Sequence, residues 1–208
     1  MEANSNGAAK QSFDKSTTST PKKHIITISG KPGSGKSTIS KELSSVLGYK
    51  HFSSGDLFRV IAREKHVTVD KINLLAETDT SIDTMVDQKL RDICINEDEI
   101  VIDSRMAWYW IPQSFKIYLN LDLSIAADRI YNTNNKERFE NEVTSKNVKE
   151  YEEQLKVRLR SEEKRYMKLY QQNPYDTVHY DLVIDTHYNN PKQIIEIITR
   201  SYEEWLAK

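Results

Sequence analysis

From Gly30 to Ser37 the chain reads Gly-Lys-Pro-Gly-Ser-Gly-Lys-Ser. That spacing fits G-x-x-x-x-G-K-[ST], a loop whose backbone N–H groups close around a polyphosphate. The glycines permit positive φ and a close backbone approach to the ligand. Lys36 is placed to reach the β- and γ-phosphates, largely exposed while the loop is empty, and the Ser37 hydroxyl to hold Mg2+. Gly30, Lys31, Pro32, Gly33, Ser34, Gly35, Lys36, Ser37 and Thr38 thus form a candidate phosphate-donor site. A second candidate is Ser53-Ser54-Gly55-Asp56-Leu57-Phe58-Arg59, small polar residues opening a helix with Arg59 one turn in. Hydroxyl and N–H groups at a helix start suit an anion. An ordinary N-cap followed by a surface arginine fits the same residues. Farther on, Asp103 closes an apolar run, where an acid can complete a Mg2+ shell.

A phosphate loop works only between a buried strand and a helix N-terminus, and the flanking sequence supplies both. His24 to Ser29 is a β-branched run, and Ile39, Leu43, Val46 and Leu47 follow at helical spacing before Gly48 stops the helix. Tyr49 to Phe52 reads as a second strand. Residues 69–96 read as helical with a break around Thr78 to Ser81, and Asp83 and Asp87 share a face one turn apart. The strand Glu99 to Asp103 leads into Ser104, Arg105 and the aromatics Trp108, Tyr109 and Trp110, at the end of the sheet where α/β folds bind ligands. Core packing explains those aromatics equally well. A strand over Lys116 to Leu121 and a helix from about Ser124 to Tyr131 come next. Residues 132–146 carry turn formers and mixed charge and read as a mobile lid.

Asn147 to Gln171 reads as one long charged helix with Tyr151, Leu155, Arg158, Arg165 and Leu169 near one face, because seven residues are almost two turns. Arg158 and Arg165 can then face one cleft, although a solvated face of Glu–Arg pairs is the plainer reading of the pattern. The chain closes with a strand over Asp181 to Asp185, a turn at Tyr188 to Pro191, and a helix turning Ile194, Ile195, Ile198, Tyr202 and Trp205 inward. Strand and helix alternate throughout. The expected fold is a three-layer α/β/α domain around a parallel sheet of about five strands.

Bulk properties narrow the function classes. The chain has 208 residues, enough for one well-buried domain, here residues 23–208. Residues 1–22 are too poor in apolar side chains to offset their ordering entropy and read as a disordered tail. A formal net charge of −1 gives no field to recruit nucleic acid or membrane, so any anion site is local. Cys94 is the only cysteine, which suits a reducing compartment, and five scattered histidines offer no metal-ligand spacing. No apolar run approaches a membrane span, and a cytoplasmic monomer is expected.

Taken together the pieces resemble the nucleoside monophosphate kinases, and most closely the short, archaeal-type cytidylate kinases. The resemblance covers nearly all of residues 24–205. It rests on I-T-I-S-G-K-P-G-S-G-K-S, G-Y-K-H-F-S-S-G-D-L-F-R, I-D-S-R-M-A-W, S-E-E-K-R-Y and Y-D-L-V-I-D-T, in the family's order. It implies an acceptor-binding region over about 53–98, with Ser53, Ser54, Gly55, Asp56, Arg59 and Arg105 on the acceptor. Arg129 is implied near the donor adenine. Lys36, Arg158 and Arg165 are implied as the cations on the transferring phosphoryl group, which reverses the plainer reading of that arginine pair. Mg2+ is implied on Ser37 and Asp103. Two positions depart from the family: Met106 stands where longer bacterial members carry an aspartate that helps read the base, and Thr133 where a basic residue is common.

The implied reaction is ATP-dependent phosphorylation of CMP or dCMP. Asp83 and Asp87 are the expected acceptors for the cytosine amino group, with Trp108 as the wall that limits base size. Another kinase of this fold, acting on AMP, UMP or a non-nucleotide, is the alternative within enzymes. A nucleotide-dependent regulator that uses the loop without turnover is the alternative outside them.

Overall fold

The computed structural model describes residues 23–132 and 145–208; the expected tail and nearly all of the expected lid lie outside the described residues. Five strands form the sheet: β1 (Ile25–Gly30), β2 (Lys50–Ser53), β3 (Ile100–Asp103), β4 (Phe115–Asn120) and β5 (Leu182–Asp185). Every pairing is parallel and the order is β2-β3-β1-β4-β5. The helices are α1 (Lys36–Leu47), α2 (Ser54–Glu64), α3 (Val69–Thr78), α4 (Ser81–Asn96), α5 (Ala107–Trp110), α6 (Leu123–Tyr131), α7 (Val148–Tyr170) and α8 (Pro191–Leu206). Among the described residues no helix is long and apolar enough to cross a membrane.

The alternation along β1 and β3 divides the core into two layers. Ile25, Ile100 and Ile102 point to one face and pack with Ile61, Ile72, Val86 and Leu90 from α2, α3 and α4. Ile26, Ile28 and Val101 point to the other face and pack with Ile39 and Leu43 of α1 and Ile194, Ile195, Ile198 and Tyr202 of α8. Val46 shares the spacing of the inward residues, yet faces solvent in the last turn of α1. Because β1 is covered on both sides, all six of its residues are buried and it reads as a nearly continuous apolar run. A smaller cluster of Ala127, Ile130, Tyr151 and Leu155 joins α6 to α7.

Register places the site. Asp103 lies opposite Ser53 on one side and Ile28 on the other. The carboxyl ends of β2, β3 and β1 therefore deliver Ser53, Asp103 and the start of the glycine-rich loop to one edge of the sheet.

Candidate active site

The loop between β1 and α1 has the conformation its glycines permit. A Cβ on Gly30 would stand 2.4 Å from the Leu119 carbonyl oxygen of β4, a backbone atom that cannot yield. Gly33 combines a φ of +80° with a Cβ that would meet the Ala126 methyl at 2.8 Å. Either substitution strains the backbone or parts it from its neighbour. Lys36 differs from expectation. It is half-buried, and its Nζ turns back to donate to the carbonyls of Gly30 at 2.7 Å and Lys31 at 2.9 Å. Burial and then the charge of Arg105 push its pKa down to about 7, only partly opposed by Asp103 and Glu162.

Ser37 and Asp103 meet as expected: the Ser37 hydroxyl donates to Asp103 Oδ2 at 2.7 Å. Both are hard oxygen donors, which suits a small divalent cation that keeps several waters. Among the described residues no three His, Cys, Asp or Glu side chains gather as a metal set.

One cleft is lined by Pro32, Gly33, Gly35, Lys36, Ser37 and Thr38 of the loop, Ser54, Gly55 and Arg59 of α2, Asp103 and Arg105 after β3, and Arg158 of α7. Most of the expected site residues are thus together. Ser53 is buried and caps α2 by accepting from the Asp56 N–H at 3.4 Å. Asp56 pairs with Arg59 at 2.5 Å. Lys31 faces a neighbouring cavity with Asp122 and Asp185.

Arg165 does not join them. It is 3% exposed and directed at Asp83 Oδ2 (3.0 Å) and the Asn73 carbonyl (2.6 Å), tying α7 to α3 and α4. Seven residues bring Arg165 back to the side of α7 that carries Arg158, but about 10 Å along the axis, which is beyond the cleft. Asp83 is thereby committed to Arg165, while Asp87 accepts from the Tyr170 hydroxyl at 2.7 Å. Burial raises both carboxyls to about 6. Neither carboxylate lines the cleft or the cavities beside it, so the expected reading of cytosine by this pair is corrected. Trp108 is corrected with them. It is buried with Met106 and Tyr166 and stacks on His179 at 4.2 Å, and is therefore core.

Two further cavities share lining residues with the cleft. One, of about 510 Å3, shares Gly35 and Thr38 with the cleft and is walled by Arg129 and the Thr186–Asn190 loop. Arg129 is fixed there by donating to Thr186 Oγ1 at 3.2 Å and the Thr186 carbonyl at 2.7 Å. The other, of about 360 Å3, lies between α3 and α7 and shares Arg158 with the cleft. Its lining includes Asn73, Gln154 and Ser161.

The cytidylate kinase-like family matches residues 25–188. The chain belongs to that family. It is 36% identical over 183 residues to the cytidylate kinase of Haloarcula marismortui, an alignment covering 87% of this chain and 90% of that protein. The cytidylate kinase of Natronomonas pharaonis is also 36% identical, with 86% and 90% covered. Among solved structures, the shikimate kinase from Bacteroides thetaiotaomicron superposes with a TM-score of 0.57 at 14% identity, covering 89% of this chain and 99% of that one. At that identity the likeness shows the fold alone, that of a phosphate-loop kinase. Residues not singled out from the sequence are Glu162, Tyr175 and the Thr186–Asn190 wall. Glu162 has two legible signals, its place in the S-E-E-K-R-Y run and its position four residues after Arg158 on a helix.

Proposed function

We propose that the protein transfers the γ-phosphoryl group of ATP to CMP or dCMP, giving ADP and the cytidine diphosphate. The observation that carries this reading is one cleft lined by the glycine-rich loop, Lys36 and three arginines, which shares residues with two further cavities. The adenosine of the donor fits the Arg129 side, beside the N-terminus of α1, and the acceptor nucleoside fits the side between α3 and α7. Arg59 and Arg105 hold the acceptor phosphate. Lys36 leaves the loop carbonyls for the donor phosphates, and Arg158 neutralises the group in transfer. Positioning and charge neutralisation carry such a reaction, and no general base is assigned. Ser37 and Asp103 are the residues that would hold Mg2+, which when bound neutralises charge on the phosphates. Arg165 serves the site at a distance, by fixing α7 against α3 and α4.

The test is a panel of AMP, CMP, dCMP, UMP and GMP at equal concentration with saturating ATP, following diphosphate formation. CMP or dCMP should give the highest kcat/KM. A maximum with UMP or AMP refutes the cytosine assignment while leaving the transfer chemistry intact.

A further inference from the structure

Two arginines of the cleft share a single carboxylate. Glu162 is 1% exposed and sits one turn after Arg158 on α7. Its Oε2 lies 2.6 Å from Nε of Arg105, and its Oε1 lies 3.1 Å from Nε of Arg158. The Tyr175 hydroxyl donates to Oε2 and accepts from Arg105 Nε at 3.3 Å, closing the group from the segment that follows α7. Glu162 therefore takes the Nε edge of both guanidinium groups, one rooted at the end of β3 and the other on α7.

We propose that Glu162, braced by Tyr175, is the positioning residue that sets Arg105 and Arg158 for phosphoryl transfer. Arg105, Arg158 and Lys36 are three cations around one cleft, and Coulomb repulsion drives long side chains of like charge apart. A shared buried anion removes that repulsion and fixes both guanidinium groups before substrate arrives, the preorganisation on which charge-stabilised transfer depends. Burial alone would raise the Glu162 pKa, but the charges of Arg105 and Arg158 hold it down at about 2, so the brace stays ionised at any working pH.

This inference rests on the kinase reading, and its test uses whichever monophosphate the wild-type protein turns over fastest, so an error in the base assignment leaves it standing. Glu162→Gln keeps the shape and adds one net positive charge to the cleft. Its kcat should fall about 100-fold while KM for ATP stays level, the split expected when Arg158 loses contacts made only in the transition state; KM for the monophosphate, which Arg105 holds, should rise. A merely structural role raises KM for ATP as well. In the double variant E162Q/R158A the loss should be far smaller than the product of the two single losses, because Glu162 acts through Arg158. Multiplying effects, or a Glu162→Gln protein with more than half the wild-type kcat, overturn the proposal. Should Glu162→Gln fail to fold, Tyr175→Phe decides: kcat should fall roughly threefold to tenfold at constant KM for ATP, and an unchanged kcat overturns it.

Discussion

The Ser37 hydroxyl donates to Asp103 Oδ2 across 2.7 Å, joining the first turn of α1 to the last residue of β3. Ser37 is itself exposed, whereas Asp103 is buried at the floor of the cleft. The pair thus presents one hydroxyl to the cleft with a carboxylate directly behind it. Replacing Asp103 with Asn keeps the hydrogen-bond acceptor and removes the charge. Activity should fall roughly 10- to 100-fold, and the Mg2+ concentration giving half-maximal rate should rise. Initial rates against free Mg2+ check this. A variant with the wild-type midpoint would remove Asp103 from the metal site.

Lys36 gives a pH prediction. Its pKa of about 7 in the empty loop means that the neutral amine dominates at pH 8.5. A polyphosphate supplies the opposite charge that restores the ammonium form. ATP binding should therefore take up close to one proton at pH 8.5 and almost none at pH 6, and affinity should weaken as pH rises above 7. Calorimetry in two buffers of different ionisation enthalpy reads the uptake directly. Lys36→Ala should abolish it and cut turnover strongly. Equal uptake in wild type and variant would mean that another group titrates.

Two acidic residues on α4 should respond differently to pH. Asp87 is buried and its carboxyl is raised to about 6, against about 3.9 in an unfolded chain. The raised value favours the protonated form, so this stabilisation is present below pH 4 and is lost as pH passes 6. Asp87→Asn cannot ionise and still accepts from Tyr170. It should be more stable than wild type at pH 7.5, by up to about 3 kcal/mol, with the gap closing near pH 4. Denaturant melts at both pH values check this, and a variant weaker than wild type at pH 7.5 contradicts it.

For Asp83 the informative change is in its partner. Arg165→Met leaves the Asp83 carboxyl buried without its cation and drives its pKa above the present value. Breaking such a pair costs about 3–5 kcal/mol. The loss should be fullest at pH 7.5 and shrink at pH 5, where Asp83 is protonated. Arg158→Met should instead lower kcat and leave the melting temperature within a few degrees. If the two variants exchanged these phenotypes, the assignment of Arg158 to the cleft and Arg165 to the helix contact would be reversed.

The sheet was readable because its chemistry is local. Apolar runs bounded by turns gave all five strands to within one or two residues, and the break near Thr78 separated α3 from α4 where the helices part. The loop, Ser37 and Asp103 were readable because a single motif and the acid ending β3 specify them. The side chains of α7 were not. Its heptad spacing equated Arg158 with Arg165, since periodicity reports direction around a helix but not which neighbour lies at each height. A Glu–Arg pair does form between Arg158 and Glu162, with Glu162 buried beside Tyr175 and Arg158 half-buried, not on the solvated face of the plainer reading. Asp83 looked like a base reader for the same reason: an inward acid announces that it needs a partner, and only the packing shows that Arg165 is that partner.

The wall of the cavity beside Arg129 is anchored at both ends, and its middle is tied back to the last residue of β5. Thr186 is held by Arg129, while α8 starts with Pro191 and a reciprocal cap between Asn190 and Gln193. Between these anchors the His187 N–H donates to Asp185 Oδ1 at 2.7 Å and the Asn189 side-chain amide donates to the Asp185 carbonyl at 2.8 Å, while Tyr188 is 80% exposed. Tyr188 is therefore the position of this segment whose side chain can change with the strand before it and the helix after it still secured. At that one position the lining of the cavity and the stability of the fold can vary separately.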